Sequence, residues 1–430
     1  MLDKFFSKKF KGDGIIWAVF FLLCIISIIE VYSASSVLTY KSGNYWSPVL
    51  KHFGLLVVGF VCMIVVLNIK CKYFKIVTPF LLLAAFITLL WVLVAGQSTN
   101  GAQRWISLVG IQFQPSEIAK GAMVLAVAQI LSAMQTERGA DRRAFKYIMI
   151  VCAFIIPLIM VENLSTAALL CLVIVMMMFI GRVPMAQIGR LMGIGMLLLI
   201  FAISMIMLVG KEDTSNNDTK LAITEQTVEA EIQKPSKLEK IFHRAGTWKS
   251  RIIKHLDNKE ISPYEVDLDK DAQVAHANIA IASSNIVGKG PGNSVERDFL
   301  SQAFSDFIYA IIIEEMGIIG AFVVCLLYII LLFRTASIAN RCVNTFPALL
   351  IMGLALLLVT QALFNMLVAV GLVPVTGQPL PLISKGGTST IINCIYIGAI
   401  LSVSYSAKKK DEELGENDKN KQVKVAYQQA

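Results

Sequence analysis

Asp306 is the residue of this chain that is best placed for acid–base chemistry. It lies where a long polar segment meets a long apolar run, within Ser305-Asp-Phe-Ile-Tyr309. A carboxylate at the start of an apolar helix can be a plain N-cap, since Asp is favoured there. It can also be a general base, because partial burial tunes a carboxyl group toward neutral pH, where bases work best. Both interpretations predict a helix that begins beside Asp306.

Three further charged residues, Arg104, Glu117 and Lys120, lie close together in the chain. Pro115 is typical of the first turn of a helix, so Glu117 and Lys120 are predicted to share a helix face, where they can pair. That ion pair is either structural or faces a cavity. Arg104 precedes it in a predicted external loop, from which a guanidinium group can reach a phosphate.

Proline and glycine are dense in the segment Pro374–Ser389. Irregular backbone of this kind is tolerated at membrane depth only where it is buried in protein or lines a cavity. Lys385 lies there beside Gly386, Gly387 and the hydroxyl group of Ser384, a combination that suits an anion site.

All of these groups lie at predicted helix ends on one side of a membrane. The corner Glu162-Asn-Leu-Ser-Thr166 lies there too, and it is either a helix cap or a substrate-binding carboxylate. Ionisable side chains at membrane depth are expensive to insert, so each is a functional candidate. The arrangement predicts a pocket that opens to the outer leaflet and is lined by Arg, Lys and at least one carboxylate.

The elements that must position these residues are transmembrane helices. Of the 430 residues, 56% are hydrophobic and only 16% are charged, whereas a soluble domain carries about 25% charged residues. Apolar runs of roughly 18–25 residues match the length that crosses a bilayer, and inside lipid they must be helices. Ten such runs exclude a soluble core and predict an all-α integral membrane protein. The predicted spans are 14–36, 51–69, 75–95, 115–134, 146–162, 164–181, 189–210, 306–333, 346–370 and 386–406.

Basic residues in the short connectors alternate in the way that sets membrane orientation. They occur before the first span and after spans two, four, six, eight and ten. Both termini are therefore predicted to be cytoplasmic, and the net charge of +9 reflects topology and not nucleic-acid binding. The residues are Lys4, Lys8, Lys9, Lys11, Lys70, Lys72, Lys75, Arg138, Arg142, Arg143, Lys146, Arg182, Arg190, Arg334, Arg341, Lys408, Lys409 and Lys410.

The chain divides into four predicted parts. They are transmembrane helices 1–7 in residues 1–210, a large external loop in 211–305, helices 8–10 in 306–406, and a disordered tail in 407–430. Within the loop, Lys237–Lys254 is predicted to be a basic amphipathic helix, which either lies on the membrane surface or packs on other loops. Asp271–Ser305 is predicted to be a helix followed by a glycine-rich turn. The eight cysteines form no close pair, so neither a disulfide framework nor a thiolate metal site is expected.

Four motifs, in this order, resemble the SEDS family, the RodA/FtsW group of bacterial peptidoglycan glycosyltransferases. The similarity covers nearly the whole chain, including the ten spans and the large loop between spans seven and eight. The motifs are Gly101–Trp105, Gln114–Lys120, Ser305–Tyr309 with Glu314–Gly317, and Leu380–Ser389.

Several positions depart from the family pattern. Ser305 replaces Thr, Ser301–Phe304 replaces Pro-Glu-x-His, Glu162-Asn163 replaces Pro-Asp, and Lys385 replaces Tyr. These changes leave the acidic residue at Asp306 intact and resemble the Bacteroidetes type of the division branch. They weaken any role carried over to Glu162.

The resemblance implies an inverting glycosyltransferase that polymerises lipid II. Asp306 would take the proton of the acceptor's sugar 4-hydroxyl as that oxygen attacks the anomeric carbon of the growing lipid-linked strand. Cationic side chains would stabilise the departing diphosphate, with a divalent cation, Mg²⁺ or Mn²⁺, as an optional participant. The implied substrate-binding residues are Arg104, Glu117, Lys120, Ser384, Lys385, Gly386 and Gly387.

The stretch Gly292–Leu300 looks like the division member, FtsW, more than the elongation member, RodA. The resemblance therefore implies a protein of the inner membrane at the division septum. Its implied partners are a class B penicillin-binding transpeptidase, other divisome proteins and membrane lipids. The alternatives are an elongation-type polymerase, a transporter that flips lipid II, and a non-catalytic divisome scaffold.

Overall fold

Helices dominate the part of the chain that the computed structural model describes, namely residues 11–34, 47–95, 97–99, 102–108, 111–137, 139–209, 272–300 and 303–429. The helices are α1 Gly14–Ala34, α2 Ser47–Leu67, α3 Cys71–Ala95, α4 Pro115–Ala133, α5 Arg142–Glu162, α6 Leu164–Ile180, α7 Met185–Val209, α8 Ala272–Ala282, α9 Ile308–Arg341, α10 Thr345–Ala369 and α11 Thr388–Gln429. The strands are β1 Gln97–Thr99, β2 Ala102–Leu108, β3 Ile111–Phe113, β4 Gln135–Thr136 and β5 Gly139–Ala140.

The helices confirm the prediction of an all-α membrane architecture. Within the described residues, eight helices are long and apolar enough to cross a membrane, and two shorter apolar helices cover Leu164–Ile180 and Met185–Leu198. Each of the ten apolar runs of the sequence corresponds to one of these ten helices. Several bounds move by a few residues because caps set them: α5 begins early, where Asp141 accepts a hydrogen bond from the backbone amide of Arg143.

The described residues form two compact units. The larger unit draws on Met1–Ile188, Asp267–Leu372 and Thr376–Ala430, and it contains every site residue discussed below. The smaller unit draws on Gly189–Val266 and Val373–Val375, and its described part is chiefly the apolar length of α7.

Within the larger unit, contacts show which helix ends lie together. Asp13, just before α1, forms an ion pair with Arg334 near the end of α9, with 2.6 Å between Oδ2 and Nη2. At the other end of α1, Ser33 donates a hydrogen bond to Glu315, close to the start of α9. α1 and α9 are therefore antiparallel, and Asp306 lies at the end of the unit opposite Asp13.

A small antiparallel sheet occupies the connector around Arg104, for which the sequence predicted only an external loop. β1 pairs with β2, and β2 pairs with β3. Gln97 pairs with Trp105, but the next residue, Ser98, pairs with Gln103. Arg104 is therefore the extra residue of a β-bulge in β2. The sequence did not predict the sheet, because strands of three to seven residues give only a weak alternating pattern between two long apolar runs.

The predicted span 306–333 is interrupted in the structure. α9 runs from Ile308 to Arg341 but contains Gly317 with φ 69° and ψ −172°, which is not helical. Gly288 in the preceding loop has φ +82°, and the backbones of the two glycines meet so closely that a Cβ on either would overlap the other segment. Only glycine permits both the positive φ and this approach.

Three further predictions have different outcomes. Residues 407–430 were expected to be disordered, yet α11 continues to Gln429. Lys, Glu and Gln are good helix formers and no proline interrupts the segment, so the helix that precedes it can propagate. The predicted amphipathic helix Lys237–Lys254 lies outside the described residues. The helix and glycine turn predicted in 271–305 are confirmed by α8 and by positive φ at Gly288, Gly290 and Gly292.

Replacing Gly317 or Gly288 with Ala should lower the melting temperature of the detergent-purified protein. The added Cβ would overlap Ile286 O in the first case and Glu315 O in the second, so a backbone must move. We expect a loss of several kcal/mol, more than the roughly 1–2 kcal/mol that left-handed backbone alone costs. Gly292→Ala is the matched control, since its φ is +84° but its Cβ would meet no atom within 4 Å. Equal losses in all three variants would contradict the close-approach explanation.

Candidate functional site

Asp306 lies immediately before α9 and is partly exposed. The N-cap of α9 is Phe307, one residue later, so Asp306 is not the plain helix cap that was one interpretation of the sequence. Its backbone carbonyl accepts a hydrogen bond of 2.9 Å from Asn365 Nδ2. Its Oδ1 accepts one of 3.0 Å from the hydroxyl group of Ser305. The carboxylate is thus held at a defined place without being buried.

The proline-rich segment Thr376–Gly387, called the proline loop below, is attached to the two residues that precede the candidate base. Ser384 Oγ donates a hydrogen bond to Ser305 O at 2.6 Å, and the backbone amide of Lys385 donates one to Phe304 O at 2.9 Å. The Lys385 ammonium also lies 5.2 Å from the centre of the Phe304 ring, within cation–π range. The third and fourth sequence motifs, about 80 residues apart in the chain, therefore form one structure.

Two buried amides of α10, Gln361 and Asn365, hold the proline loop from the other side. Gln361 Nε2 donates to Pro379 O at 3.0 Å, and Asn365 Nδ2 donates to Gln378 O at 2.7 Å. Asn365 thus bridges the proline loop and the backbone of Asp306. Sequence reasoning missed both residues, although two amides four positions apart in an apolar helix share a face and signal a buried polar contact.

The predicted ion pair of α4 is confirmed and joins the same network. Lys120 Nζ lies 2.7 Å from Glu117 Oε1 and donates to Gln361 Oε1, also at 2.7 Å. Both charged side chains are buried, with exposed fractions of 1% for Lys120 and 2% for Glu117. A buried ammonium needs such partners, so the pair has the structural role that was one of the two interpretations of the sequence. Because both side chains are buried, the pair does not line an open pocket.

Helix α11 adds two contacts to Glu117. The hydroxyl group of Tyr396 donates to Glu117 O at 2.8 Å, and Ser389 Oγ donates to Glu117 Oε2 at 3.4 Å. The ion pair consequently links α4, α10 and α11 close to the point where the proline loop leads into α11.

A pair of fully buried carboxylates, Glu314 and Glu315, organises the segment Gly288–Arg297, called the glycine loop below. Glu315 accepts hydrogen bonds from the backbone amides of Gly292 and Ser294 at 3.0 and 3.2 Å. Glu314 pairs with Lys289, with 2.6 Å between Nζ and Oε1. Since the first turns of α9 carry both acids, the glycine loop is tied to the helix that follows the candidate base. The sequence motif that contains both acids does not predict this role.

The accessible groups of the site are fewer than the sequence suggested. Lys385, Gly386 and Gly387 are partly exposed, as Asp306 is, whereas Ser384 is buried. Ser384 is a structural tie, because its oxygen also accepts the amide of the residue four positions earlier, Leu380, at 2.8 Å. Burial, and to a lesser degree the charge of Lys51, lowers the pKa of Lys385. One carboxylate and one cation thus flank the junction of α9 and the proline loop.

The remaining predicted residues lie around this junction or outside the described part. The side chain of Arg104 lies outside the described residues. At the corner after α5, Asn163 Oδ1 caps α6 by accepting the amides of Ser165 and Thr166 at 3.0 and 3.4 Å, and Glu162 is buried. Thr166 Oγ1 in turn accepts from Gln378 Nε2 at 2.5 Å, so this corner also supports the proline loop.

A metal site built by protein ligands alone is not found in the described residues, which contain no group of three or more His, Cys, Asp or Glu side chains placed to hold an ion. Asp306 could supply one ligand to a magnesium-like ion, since such ions are often held by one or two carboxylates together with substrate phosphates.

The comparisons with known proteins agree with this architecture. A family model described as "Cell cycle protein" (FTSW_RODA_SPOVE) matches residues 13–220 and 234–409. A protein of Geobacter sp. (strain M18) called "Probable peptidoglycan glycosyltransferase FtsW" is 29% identical over 403 residues, covering 92% of this chain and 98% of that protein. "Peptidoglycan glycosyltransferase MrdB" of Escherichia coli (strain K12) is 27% identical over 387 residues, covering 89% of this chain and 92% of that protein.

The fold also matches a solved structure. The chain superposes on a protein from work described as "Structural coordination of polymerization and crosslinking by a peptidoglycan synthase complex", with a TM-score of 0.66 and 22% sequence identity. The match covers 91% of this chain and 98% of that chain. The helical architecture described above is therefore shared along nearly the full length of both proteins.

Replacing Lys120 with Met should destabilise the protein strongly, because Glu117 would be left buried without its cation. The expected loss is about 3–5 kcal/mol, measured as a fall in unfolding free energy or melting temperature in detergent. The double variant Glu117→Gln/Lys120→Met should lose less than Lys120→Met alone. Lys146→Met, which removes an exposed lysine, is the control and should be close to neutral. A double variant as unstable as the sum of its single changes would contradict the buried pair.

Proposed function

This chain belongs to the FtsW, RodA and SpoVE family of cell cycle proteins, and we propose that it is a peptidoglycan glycosyltransferase that polymerises lipid II into glycan strands. The observation that carries this proposal is the placement of Asp306. Its carboxylate is partly exposed at the head of an interrupted helix, while its backbone is fixed by Asn365. A reacting carboxylate needs both access to substrate and a defined position.

In the proposed reaction, Asp306 is the general base. The carboxylate accepts the proton of the sugar 4-hydroxyl of acceptor lipid II while that oxygen forms a bond to the anomeric carbon of the lipid-linked strand. The bond from the anomeric carbon to the diphosphate breaks at the same time, and its electron pair leaves with the diphosphate. Attack opposite the leaving group inverts the anomeric centre.

Lys385 is the described cation best placed to receive the diphosphate, because it is partly exposed on the proline loop beside Gly386 and Gly387. Gly387 has φ +58°, and a Cβ there would meet no atom within 4 Å, so the backbone is open on that side. We assign Arg104 to the same task from its motif. Lys120 acts in this proposal through the network that positions the proline loop, and a Mg²⁺ or Mn²⁺ ion would be a ligand of the diphosphate.

The partner proposed for this chain is a class B penicillin-binding transpeptidase within the division machinery. The solved structure that shares the fold comes from a complex described as coordinating polymerization and crosslinking, which supports a crosslinking partner here. The same proposal places both termini in the cytoplasm and Asp306 on the outer side of the inner membrane, as the distribution of basic connectors indicates.

The septal role rests on the resemblance of Gly292–Leu300 to the division branch. Relatives that carry the names FtsW and MrdB both match over most of the chain, so the elongation role is the alternative within the same chemistry. Accumulation of the tagged full chain at midcell would support the septal role, and an even distribution along the cell wall would favour elongation.

Asp306→Asn should abolish polymerisation. Purified protein with its transpeptidase partner and labelled lipid II should yield glycan strands, and the variant should lower the rate by at least about 100-fold, since general bases contribute roughly 10²–10⁴. Glu137→Gln, which changes an exposed carboxyl group elsewhere, is the control and should retain activity.

Three outcomes would redirect the proposal for Asp306. Strands formed at the normal rate by a folded Asp306→Asn variant would remove this residue as the base. Transfer of lipid II between leaflets without polymer would favour the flippase. Partner assembly by an inert wild-type protein would favour the scaffold.

The pH dependence of substrate binding should reveal Lys385. Because burial lowers its pKa, the ammonium loses its proton at a lower pH than an ordinary lysine does. If the ammonium binds the diphosphate, the KM for lipid II should rise as the pH increases through that lowered pKa. Lys385→Arg keeps its charge and should remove the rise, whereas Lys385→Met should already show the raised KM at low pH and no further rise with pH. Identical alkaline profiles for wild type and Lys385→Arg would contradict this role.

A further inference from the structure

A polar cavity lies at the end of the larger unit opposite Asp306. Its volume is about 100 Å³, and it is formed where the segment before α1 meets the last turns of α9 and the middle of α11. Three of its side chains are cations and one is an acid, so the lining is positively charged. The lining residues are Gly12, Asp13, Arg334, Ile338, Arg341, Ser404, Ala407 and Lys408.

Both carboxylate oxygens of the acid in this cavity, Asp13, already have partners within the protein. Asp13 Oδ1 accepts the amides of Ile15 and Ile16 at 3.0 and 3.2 Å and so caps α1. Asp13 Oδ2 lies 2.8 Å from Arg334 Nε and 2.6 Å from Arg334 Nη2. The acid neutralises and fixes Arg334, and it leaves the other two cations unmatched.

Three other groups of the lining are available to bind a ligand. Arg341 and Lys408 are exposed, and neither forms a hydrogen bond or ion pair within the described residues. Ser404 also lines the cavity; the residue is buried, with 5% of its surface exposed, and its hydroxyl group can donate a hydrogen bond.

We propose that this cavity binds a phosphate group. Two unmatched cations and a hydroxyl donor suit a phosphate, for which arginine is especially well shaped. A volume of about 100 Å³ holds several water-sized groups, each of which needs roughly 10–15 Å³, and this is enough room for a phosphate group. The phosphate comes either from an anionic phospholipid of the adjacent leaflet or from free phosphate. Basic pockets between transmembrane helices bind anionic head groups in this way.

Binding to the full-length protein in nonionic detergent tests this assignment. The probes are short-chain phosphatidylglycerol, short-chain phosphatidylcholine and inorganic phosphate, and binding is read from native mass spectrometry and from the rise in melting temperature. Phosphatidylglycerol should bind saturably. Phosphatidylcholine should bind much more weakly, because choline cancels its phosphate charge.

The decisive comparison is between two charge-matched variants. Arg341→Gln/Lys408→Gln should weaken phosphatidylglycerol binding by about tenfold or more, since each basic residue near an anionic lipid surface contributes appreciably. Arg143→Gln/Lys146→Gln removes the same charge from exposed positions outside the cavity and should bind like the wild type. Ser404→Val, which changes no charge, should also weaken binding and serves as the second test if the first variant does not fold.

The remaining outcomes distinguish the two sources of phosphate or reject the site. Inorganic phosphate that binds the cavity at least as tightly as phosphatidylglycerol assigns it to free phosphate, and lipid that binds much more tightly than inorganic phosphate assigns it to the head group. Equal losses in both double variants, or no preference for phosphatidylglycerol over phosphatidylcholine, would overturn the proposal. The readout is binding and not polymerisation, so the result is independent of the role of Asp306.

Discussion

The functional end of this protein depends on one constraint: a charge or amide donor buried among apolar helices is costly unless it finds a partner inside the protein. Glu117 and Lys120 satisfy each other by forming a salt bridge, and Lys120 also donates a hydrogen bond to Gln361. Gln361 and its neighbour Asn365 then satisfy backbone carbonyl groups of the proline loop. Each unmet group would cost about 1–3 kcal/mol, so the network defines one arrangement of α4, α10 and the loop.

The same network also positions the candidate base, Asp306, by hydrogen bonds to backbone carbonyl groups. Asn365 donates to the carbonyl group of Asp306 as well as to the loop, and the loop returns through Ser384 to Ser305. The carboxylate itself stays accessible. The fold therefore separates the groups that position the site, which are buried, from the groups that can meet a substrate, which are Asp306, Lys385 and the two glycines after it.

The charged side chains at the two ends of the larger unit differ in sign and in whether they have partners. Around the start of α9, the acids Glu314 and Glu315 are buried and hold the glycine loop through backbone amides and Lys289. Around the end of α9, Asp13 is the partner of Arg334, and Arg341 and Lys408 remain unmatched within the described part of the chain. Cations in excess at one end suit contact with anionic head groups, and an accessible acid at the other suits chemistry.

The amino-acid sequence by itself determined the ten helices, the pairing of Glu117 with Lys120 and the place of Asp306 before a helix, because hydropathy period, helix spacing and composition act locally. It could not show the short sheet around Arg104, the break at Gly317 or the amides Gln361 and Asn365 as parts of the site. Those features arise from contacts between segments far apart in the chain, such as Gly317 against Gly288 and Ser384 against Ser305. Tertiary structure alone decided that Lys120 and Ser384 are buried ties while Asp306 and Lys385 stay open, since burial depends on which helices surround a residue and not on its neighbours in sequence.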